Sequence, residues 1–310
     1  MVKKLLIYKN FKIQNKHKGS IILIGNFDGL HLGHQKLFKL AKKYKKKYSF
    51  KLGVLSFEPM PKMFFNRNLK NFRISSLSQK INLLKQLKVD FIINKKFDRN
   101  FSKTKSTNFI SNILGQKLKP KFIFVSNNFR FGNKREGNVR QLINHQSACR
   151  YKVVKPQPYL IDKKIVSSSL IRNLLSKGKL IKANKLLNRK WSVQGRVQKG
   201  KQLGKKIGFP TANIDIKDYV LACPGVYAVK VLLPNNKKYF RGIANLGYRP
   251  TFNGKKILLE VHIFNFSGNL YNKDLSVEFY KFIRKEKKFK NIGQLKKQIK
   301  VDLFKAKKTK

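Results

Sequence analysis

The sequence predicts an α/β domain with a parallel sheet covered by helices on both faces, followed by a small antiparallel β-barrel with a terminal helix. Two observations carry this prediction: apolar runs alternate with helical patterns over residues 1–180, and short strands separated by frequent turns follow Trp191. A chain of 310 residues can give each domain its own core. We place the junction within Lys185–Lys190 and therefore predict domains of residues 1–187 and 188–310.

The first half of the chain alternates strand and helix patterns. Apolar runs suited to buried strands are Ile21–Ile24, Leu52–Phe57, Val89–Ile93, Phe122–Val125 and Tyr151–Val154. The segment up to Tyr8 is predicted as a first strand, because it turns polar too early for a secretory signal. Helical patterns lie over 76–87, which opens with a Ser-x-x-Gln capping box, over 109–114 and over 167–177. Such alternation builds a parallel sheet whose ligands bind beyond the carboxyl ends of the strands.

The second half carries shorter patterns. Its strand runs Val226–Leu233, Ile257–Phe264 and Leu275–Phe282 are separated by turns rich in Gly, Pro and Asn, which favours antiparallel pairing. Apolar residues at helical spacing return after Asn291. These features predict a barrel closed by a C-terminal helix.

The charge balance is extreme: 72 Lys and Arg residues stand against 13 Asp and Glu residues, a formal net charge of +59. One interpretation is selection for nucleic-acid binding, and the other is a compositional bias toward Lys, Asn, Ile and Phe, which have A/T-rich codons. We favour bias, because the lysines are spread along the chain and no zinc-finger, ribonucleoprotein or basic-zipper pattern is visible. Non-specific RNA binding is still expected from such a charge, but no specific nucleic-acid partner.

The two cysteines, Cys149 and Cys223, lie far apart and show no metal-ligand spacing. That pattern favours a reduced, cytoplasmic chain over a disulfide scaffold. No apolar stretch approaches the ~18 residues of a membrane span, so we predict no membrane partner.

The most informative segment is Gly25-Asn26-Phe27-Asp28-Gly29-Leu30-His31-Leu32-Gly33-His34, which lies between an apolar run and a helical pattern. Glycines let the backbone approach phosphate closely, a helix N-terminus supplies free N–H groups, and imidazoles add hydrogen-bond donors. A strand, a tight turn and a helix start in this order predict a nucleoside triphosphate site.

Three later segments complete a set with this one: Ser56-Phe57-Glu58-Pro59-Met60-Pro61, Ser126-Asn127-Asn128-Phe129-Arg130-Phe131-Gly132 and Val166-Ser167-Ser168-Ser169-Leu170-Ile171-Arg172. The set resembles the nucleotidylyltransferase superfamily and, within it, the bacterial bifunctional riboflavin kinase/FMN adenylyltransferase family, also called FAD synthetase. The resemblance implies a Rossmann-like first domain that joins FMN to ATP, releases pyrophosphate and needs Mg²⁺.

The resemblance also implies roles for single residues. Those expected at the ATP of this domain are Gly25, Asn26, Phe27, Asp28, Gly29, His31, His34, Ser167, Ser168 and Arg172, of which His31 and His34 are the catalytic pair that stabilises the developing phosphate charge. Those expected on the flavin side are Phe57, Pro59, Asn128, Phe129 and Arg130. Asn128 stands where the family usually has Asp, and Ser126 where it has Gly, so a charge is lost at the flavin side.

A second motif, from Gly195 to Asn213, resembles the riboflavin kinase signature of the same family. The resemblance implies an ATP site under a glycine-rich hairpin that comprises Gly195, Val197, Gly200, Gly204, Lys205, Gly208 and Pro210, with Lys205 replacing the usual Arg. Thr211 and Asn213 are expected to supply oxygens to Mg²⁺. Glu260 interrupts an apolar strand in a chain poor in acids, and we expect it to be the general base for the riboflavin 5′-hydroxyl. Arg284 is expected at the flavin.

Three functional hypotheses follow. The first is a bifunctional enzyme that binds ATP, riboflavin, FMN and FAD and converts riboflavin to FMN and FMN to FAD. The second is a homologue that kept the kinase and lost efficient adenylyl transfer through Asn128 and an altered phosphate clamp. The third is an RNA- or membrane-surface-binding protein that reuses the fold. Intact motifs in both domains favour the first hypothesis.

Overall fold

The computed structural model describes residues 5–66, 68–69, 71–200, 204, 207–234, 236–251 and 254–309. The chain forms two compact units: unit 1 comprises Met1–Leu69 and Leu77–Val166, and unit 2 comprises Lys70–Ser76 and Ser167–Lys310. Residues 71–76 and 167–187 thus pack with the C-terminal half of the chain. These units are defined by packing. The functional domain boundary between residues 187 and 188 stays a prediction.

Unit 1 contains a six-stranded parallel sheet of order β1-β4-β3-β2-β5-β8. Its strands are β1 (Leu6–Tyr8), β2 (Ile21–Ile24), β3 (Leu52–Glu58), β4 (Phe91–Lys96), β5 (Phe122–Phe124) and β8 (Lys152–Val154). Two short hairpins accompany it, formed by β6 (Arg130–Phe131) with β7 (Gly137–Asn138) and by β9 (Leu160–Ile161) with β10 (Lys164–Ile165).

Helices cover both faces of this sheet. They are α1 (Leu32–Tyr48), α2 (Pro61–Phe65), α3 (Leu77–Gln86), α4 (Arg99–Ser102), α5 (Ser106–Asn108), which continues as a π-helical segment over Phe109–Leu118, and α6 (Val139–Asn144). Successive residues of a strand point to opposite faces. Accordingly Ile22 and Ile24 of β2 belong to one hydrophobic cluster, whereas Ile21 and Leu23 belong to the other. The predicted parallel sheet between two helical layers is confirmed.

Unit 2 is a closed antiparallel barrel of order β11-β12-β15-β14-β13-β16. Its strands are β11 (Trp191–Gln198), β12 (Ala212–Asp215), β13 (Gly225–Leu232), β14 (Tyr239–Thr251), β15 (Gly254–Ile263) and β16 (Asp274–Lys285), and its helices are α7 (Ser168–Ser176), α8 (Leu180–Leu187) and α9 (Ile292–Lys307). The predicted barrel with a terminal helix is confirmed. Among the described residues, no helix combines the length and the apolar character needed to cross a membrane.

The terminal helix α9 is anchored at both ends. Asn291 caps its start by accepting a hydrogen bond from the Gln294 N–H, at 2.9 Å. At the other end the Arg241 guanidinium donates to the carbonyls of Ala306, Lys307 and Thr309, which satisfies oxygens that a helix end leaves free. The Arg241 contacts tie the end of α9 to β14, and the helix packs against β13, β14 and β16.

Candidate active sites

The Gly25–His34 turn leaves the carboxyl end of β2 and enters α1, with His31 as the N-cap residue. Phe27 and Leu30 adopt positive φ values of 50° and 40°, and the Leu30 N–H donates to the Phe27 carbonyl at 3.2 Å. A Cβ atom on Gly25 would lie 3.2 Å from the Phe27 ring. The positive φ values of Phe27 and Leu30, together with the missing side chain at Gly25, therefore let the Phe27 ring pack against the backbone of the turn.

The two histidines of the turn lie on top of each other. The ring centroids of His31 and His34 are 3.7 Å apart with an interplanar angle of 22°, and the Phe27 ring meets His34 edge-on at 5.2 Å. Burial, and secondarily the charge of His31, hold the pKa of His34 well below its usual value. His34 is therefore a neutral imidazole at pH 7.

Two polar atoms of this turn are buried without a hydrogen-bond partner in the part of the chain that the structure describes. They are Nδ1 of His34 and Oδ1 of Asn26. A buried polar group left unpaired costs about 1–3 kcal/mol. The presence of two such atoms in the turn before the 17-residue helix α1 favours a site completed by a polar ligand.

The Gly33 position links this turn to the end of unit 1. A Cβ atom there would lie 3.1 Å from the His31 ring and 3.1 Å from the carbonyl oxygen of Val166. Val166 immediately precedes the predicted phosphate clamp. Glycine therefore gives the closest fit where the chain passes the His31 ring and the Val166 carbonyl.

The predicted phosphate clamp itself starts α7 in unit 2. The Ser167 hydroxyl accepts a hydrogen bond from the Leu170 N–H at 3.2 Å and so caps the helix, with Ser168 in its first turn. Arg172 donates from Nε to the Phe72 carbonyl at 2.8 Å, and its guanidinium lies 3.7 Å from the centroid of the Phe72 ring. The role of these residues at a phosphate stays a prediction.

The residues predicted on the flavin side fall into two groups. Phe57 is 8% exposed and packs in the core, where it stacks on Phe101 at 5.4 Å, while Pro59 follows it half-buried. Asn128 and Arg130 are exposed, and the half-buried Phe129 stacks on Phe131 at 5.5 Å.

The two departures from the family pattern contact each other. The Ser126 hydroxyl donates to Oδ1 of Asn128 at 3.0 Å, and the Ser126 carbonyl accepts the Phe129 N–H at 3.0 Å. The substituted pair thus closes the loop after β5 with its own hydrogen bond.

In unit 2 a cavity of about 340 Å³ opens between the barrel and α9. Four residues singled out from the sequence line it: Gly204, Thr211, Glu260 and Arg284. The other lining residues are mostly apolar or come from the segment before α9 and from α9 itself: Ile207, Phe209, Val226, Ile243, Ala244, Asn245, His262, Glu286, Lys287, Phe289, Leu295, Ile299, Asp302 and Leu303.

Strand register places the polar residues of this cavity at one level. Glu260 on β15 lies opposite Asn213 on β12 and opposite Asn245 on β14. Directly paired residues of antiparallel strands point to the same face. A carboxylate therefore stands between two carboxamides, and Thr211, which immediately precedes β12, lines the same cavity.

The glycine-rich hairpin approaches the two predicted metal ligands. A Cβ atom on Gly200 would lie 2.1 Å from Nδ2 of Asn213, and one on Gly204 would lie 3.2 Å from Oγ1 of Thr211 and 2.4 Å from the Phe209 carbonyl. A side chain at Gly200 would displace the Asn213 carboxamide, and one at Gly204 would clash with the Phe209 carbonyl. Asn213 is 6% exposed, and its Oδ1 is buried without a hydrogen-bond partner among the described residues.

The remaining predicted ATP residues occupy the hairpin and its flanks. Gly195 and Val197 lie on β11, and Gly208 has a positive φ of 89°. Val197 and Pro210 line a second cavity of about 500 Å³, and Thr211 lines both cavities. Lys205 lies outside the described residues.

Arg284 is held by a partner that sequence reasoning missed. Its Nε donates to both carboxylate oxygens of Asp302 at 3.0 and 2.8 Å, Nη2 lies 2.7 Å from Oδ2, and Gln298 donates to the same carboxylate at 2.9 Å. Asp302 is 2% exposed and belongs to α9. The signal was present: Asp302 follows Leu295 and Ile299 on the apolar stripe of a helix in an acid-poor chain.

Glu286 is the second missed residue of the cavity. A Cβ atom on Gly247 would lie 1.9 Å from its Oε1, so the carboxylate lies directly over the Gly247 backbone. Burial raises the pKa of Glu286, the nearby charge of Glu260 raises it further, and Arg284 opposes the shift. The two carboxylates of the cavity, Glu260 and Glu286, therefore interact electrostatically.

Comparisons with known proteins match both halves of the chain. The family model described as FAD synthetase matches residues 13–170, and the model described as riboflavin kinase matches residues 187–310. Proteins named bifunctional riboflavin kinase/FMN adenylyltransferase are similar over nearly the whole length. The one from Buchnera aphidicola subsp. Schizaphis graminum is 42% identical over 93% of each chain. The one from Haemophilus influenzae is 40% identical over 94% of each chain, and the one from Escherichia coli K12 is 35% identical over 92% of this chain and 91% of its own.

A solved structure is similar along the whole fold. The crystal structure named as a macrolide-efflux protein from Streptococcus pneumoniae is 27% identical, with a TM-score of 0.85 over 99% of each chain.

Proposed function

The chain belongs to the bifunctional riboflavin kinase/FMN adenylyltransferase family, and we propose that the unit 2 cavity carries the kinase reaction and the Gly25–His34 turn carries the adenylyl transfer. It phosphorylates riboflavin to FMN with ATP, and it adenylylates FMN to FAD with release of pyrophosphate. The comparisons do not favour the kinase-only homologue or the nucleic-acid-binding alternative.

The kinase assignment rests on one observation. Glu260 on the middle strand of three is paired directly with Asn213 on one side and with Asn245 on the other. We assign Glu260 as the general base that takes the proton of the riboflavin 5′-hydroxyl while that oxygen attacks the γ-phosphorus of ATP. The largely apolar 340 Å³ cavity suits the flavin ring, and the 500 Å³ cavity beside the hairpin suits the nucleotide. Thr211 lines both cavities, and phosphoryl transfer would occur at that junction.

The donor set near Glu260 fits Mg²⁺. Magnesium prefers hard oxygen ligands and commonly shares substrate phosphates. The buried, unpartnered Oδ1 of Asn213 and the Thr211 hydroxyl supply such oxygens, and no cluster of three His, Cys, Asp or Glu residues among the described positions offers a competing site. When bound, the cation would neutralise phosphate charge, while Thr211 and Asn213 would hold it under the hairpin.

The adenylyl-transfer assignment rests on the stacked His31–His34 pair. Attack of an FMN phosphate oxygen on the α-phosphorus of ATP needs alignment and charge neutralisation rather than a covalent intermediate. Neutral His34 and the N–H groups at the start of α1 are donors for the phosphates, and the unpartnered Asn26 lies in the same turn. Ser167, Ser168 and Arg172 are proposed to bind the β- and γ-phosphates.

The flavin of the second reaction is proposed to contact the loops that contain Pro59, Asn128, Phe129 and Arg130. Phe57 supports this region from the core through its stack on Phe101. A cytoplasmic location belongs to the same proposal, supported by the free thiols of Cys149 and Cys223.

The direct test is incubation of the purified chain with riboflavin, ATP and Mg²⁺, followed by chromatographic separation of the flavins. We expect FMN and FAD together. FMN without FAD would overturn the assignment of the Gly25–His34 turn, and the loss of all conversion in folded protein would overturn both assignments.

Two experiments test the role of Mg²⁺. Replacing Mg²⁺ by excess chelator is expected to stop both reactions. Asn213→Leu is expected to weaken the binding of Mg²⁺ with ADP, measured by calorimetry.

A further inference from the structure

A groove at the opposite edge of the unit 1 sheet contains none of the residues that we assign to either reaction. It has a volume of about 590 Å³ and is lined by Tyr48, Phe50, Lys121, Phe122, Gln146, Ser147, Arg150, Tyr151 and Lys152. Phe50 precedes β3, Phe122 begins β5 and Lys152 begins β8, so the groove lies at the amino ends of the strands. The Gly25–His34 turn lies at the carboxyl ends. Helix α1 joins the two over 17 residues, a length of about 25 Å.

Three aromatic rings form one wall of the groove. Tyr48 stacks on Phe122 at 5.2 Å and on Phe50 at 5.9 Å, with interplanar angles of 28° and 20°. Tyr44 supports Phe122 from below, edge-on at 5.0 Å. Tyr48 remains 41% exposed and carries the Lys47 ammonium 5.2 Å from its ring centroid. The rings are thus held rigidly by each other, with one of them open to solvent.

Cations surround these rings. Lys121, Arg150 and Lys152 are exposed, come from three different points of the chain and form no ion pair with a described carboxylate. Among the described lining residues none is acidic. Asp90, at the same edge of the sheet, is neutralised by Lys45 at 2.5 Å and accepts the Leu52 N–H.

We propose that this groove binds a segment of single-stranded nucleic acid, with a base against Tyr48 and backbone phosphates on Lys121, Arg150 and Lys152. Flat aromatic faces bind any base by stacking, and a groove of unpaired cations follows the phosphate backbone. The net charge of +59 favours a polyanion over a single nucleotide. A membrane surface suits these rings less well, because they line a recess instead of projecting as an apolar face.

The test measures binding of a fluorescently labelled 12-nucleotide oligo(U) RNA by anisotropy over a series of salt concentrations. The groove variant Lys121→Gln/Arg150→Gln/Lys152→Gln is compared with Lys12→Gln/Lys103→Gln/Lys105→Gln, which removes three charges from exposed positions elsewhere in unit 1. We expect the groove variant to bind at least tenfold more weakly, with a salt slope reduced by about 2. The control variant is expected to change affinity less than twofold.

A neutral variant separates stacking from charge. Tyr48→Leu keeps apolar contact with Phe122 and is expected to lose about tenfold in affinity at an unchanged salt slope. All variants are expected to keep both flavin activities, which shows that they are folded.

Several outcomes would overturn the proposal. Equal weakening by the two triple variants would mean binding by overall charge alone. Competition by UMP at the affinity of the oligonucleotide would assign the groove to a free nucleotide. Tighter binding to phosphatidylserine vesicles than to RNA, lost in the groove variant, would assign it to a membrane surface.

Discussion

The two active regions are assembled in opposite ways. The Gly25–His34 turn is one continuous segment of ten residues, whose stacked histidines and unpartnered Asn26 oxygen all follow from local backbone geometry. The unit 2 cavity draws on residues from Gly204 to Leu303, contributed by a hairpin, several strands and a helix. The geometry of the turn is therefore set by its own backbone, whereas the geometry of the cavity depends on the docking of every element that reaches it.

The chemistry also differs between the two regions. Neutral imidazole and helix N–H groups in the turn are donors suited to phosphate charge. The cavity instead holds the carboxylates Glu260 and Glu286, suited to accepting a proton. We therefore expect the turn to stabilise phosphate charge and the cavity to move a proton, and we expect single substitutions to separate the two activities.

The largest expected effect is at Glu260. Glu260→Gln keeps size and hydrogen bonding but removes the base, and we expect riboflavin phosphorylation to fall by about 10²–10⁴-fold. Adenylylation of supplied FMN is expected to stay within twofold. Steady-state rates with riboflavin and with FMN as separate substrates check this, and an equal loss of both would mean that the substitution unfolds the chain.

The reciprocal substitution is His34→Ala. Because His34 is one member of the stacked pair at the start of α1, its loss is expected to reduce FAD formation by about 10²–10³-fold, the effect of removing one well-placed donor. The kinase rate is expected to stay unchanged. Lys39→Ala, at an exposed position of α1, serves as the control and is expected to leave FAD formation within twofold.

A smaller effect is expected when the unit 2 cavity loses the ion pair between Arg284 and Asp302. Asp302→Asn weakens the hold on Arg284 in the cavity, and we expect the KM for riboflavin to rise about tenfold with a smaller change in kcat. Breaking a buried ion pair also costs about 3–5 kcal/mol of stability. Arg241→Gln, which loosens the far end of α9, is the control, and an equal rise in KM there would assign the effect to helix docking alone.

The smallest expected effect is on pH-dependent stability. The pKa of His34 in the folded chain lies below the unfolded value of about 6.5. Below pH 6.5 the unfolded chain therefore binds a proton at this histidine more readily than the folded chain does. This contribution is present above pH 6.5 and is lost as the pH falls below it, at up to about 1.4 kcal/mol per pH unit. Thermal unfolding of the wild type and His34→Gln at pH 7.5 and 5.5 measures it, and identical losses in both would contradict the assignment.

The same contrast explains how far sequence reasoning reached. Both folds were predictable because strand and helix periodicities are local, and the Gly25–His34 turn was predictable because its chemistry is contiguous. Asp302 and Glu286 were missed because their role depends on α9 and the segment before it folding over the barrel. Likewise the stack of Arg172 on Phe72 joins residues 100 positions apart, which no local pattern encodes.

The central claim is that two separate sites act in sequence within one chain. Mixing Glu260→Gln with His34→Ala in the presence of riboflavin, ATP and Mg²⁺ tests it most directly, with FAD quantified by chromatography. We predict that each variant alone makes little FAD from riboflavin, and that the mixture restores it through FMN released by His34→Ala. Failure of the mixture to form FAD, although each variant retains its own remaining half-reaction, would contradict two independent sites linked by free FMN.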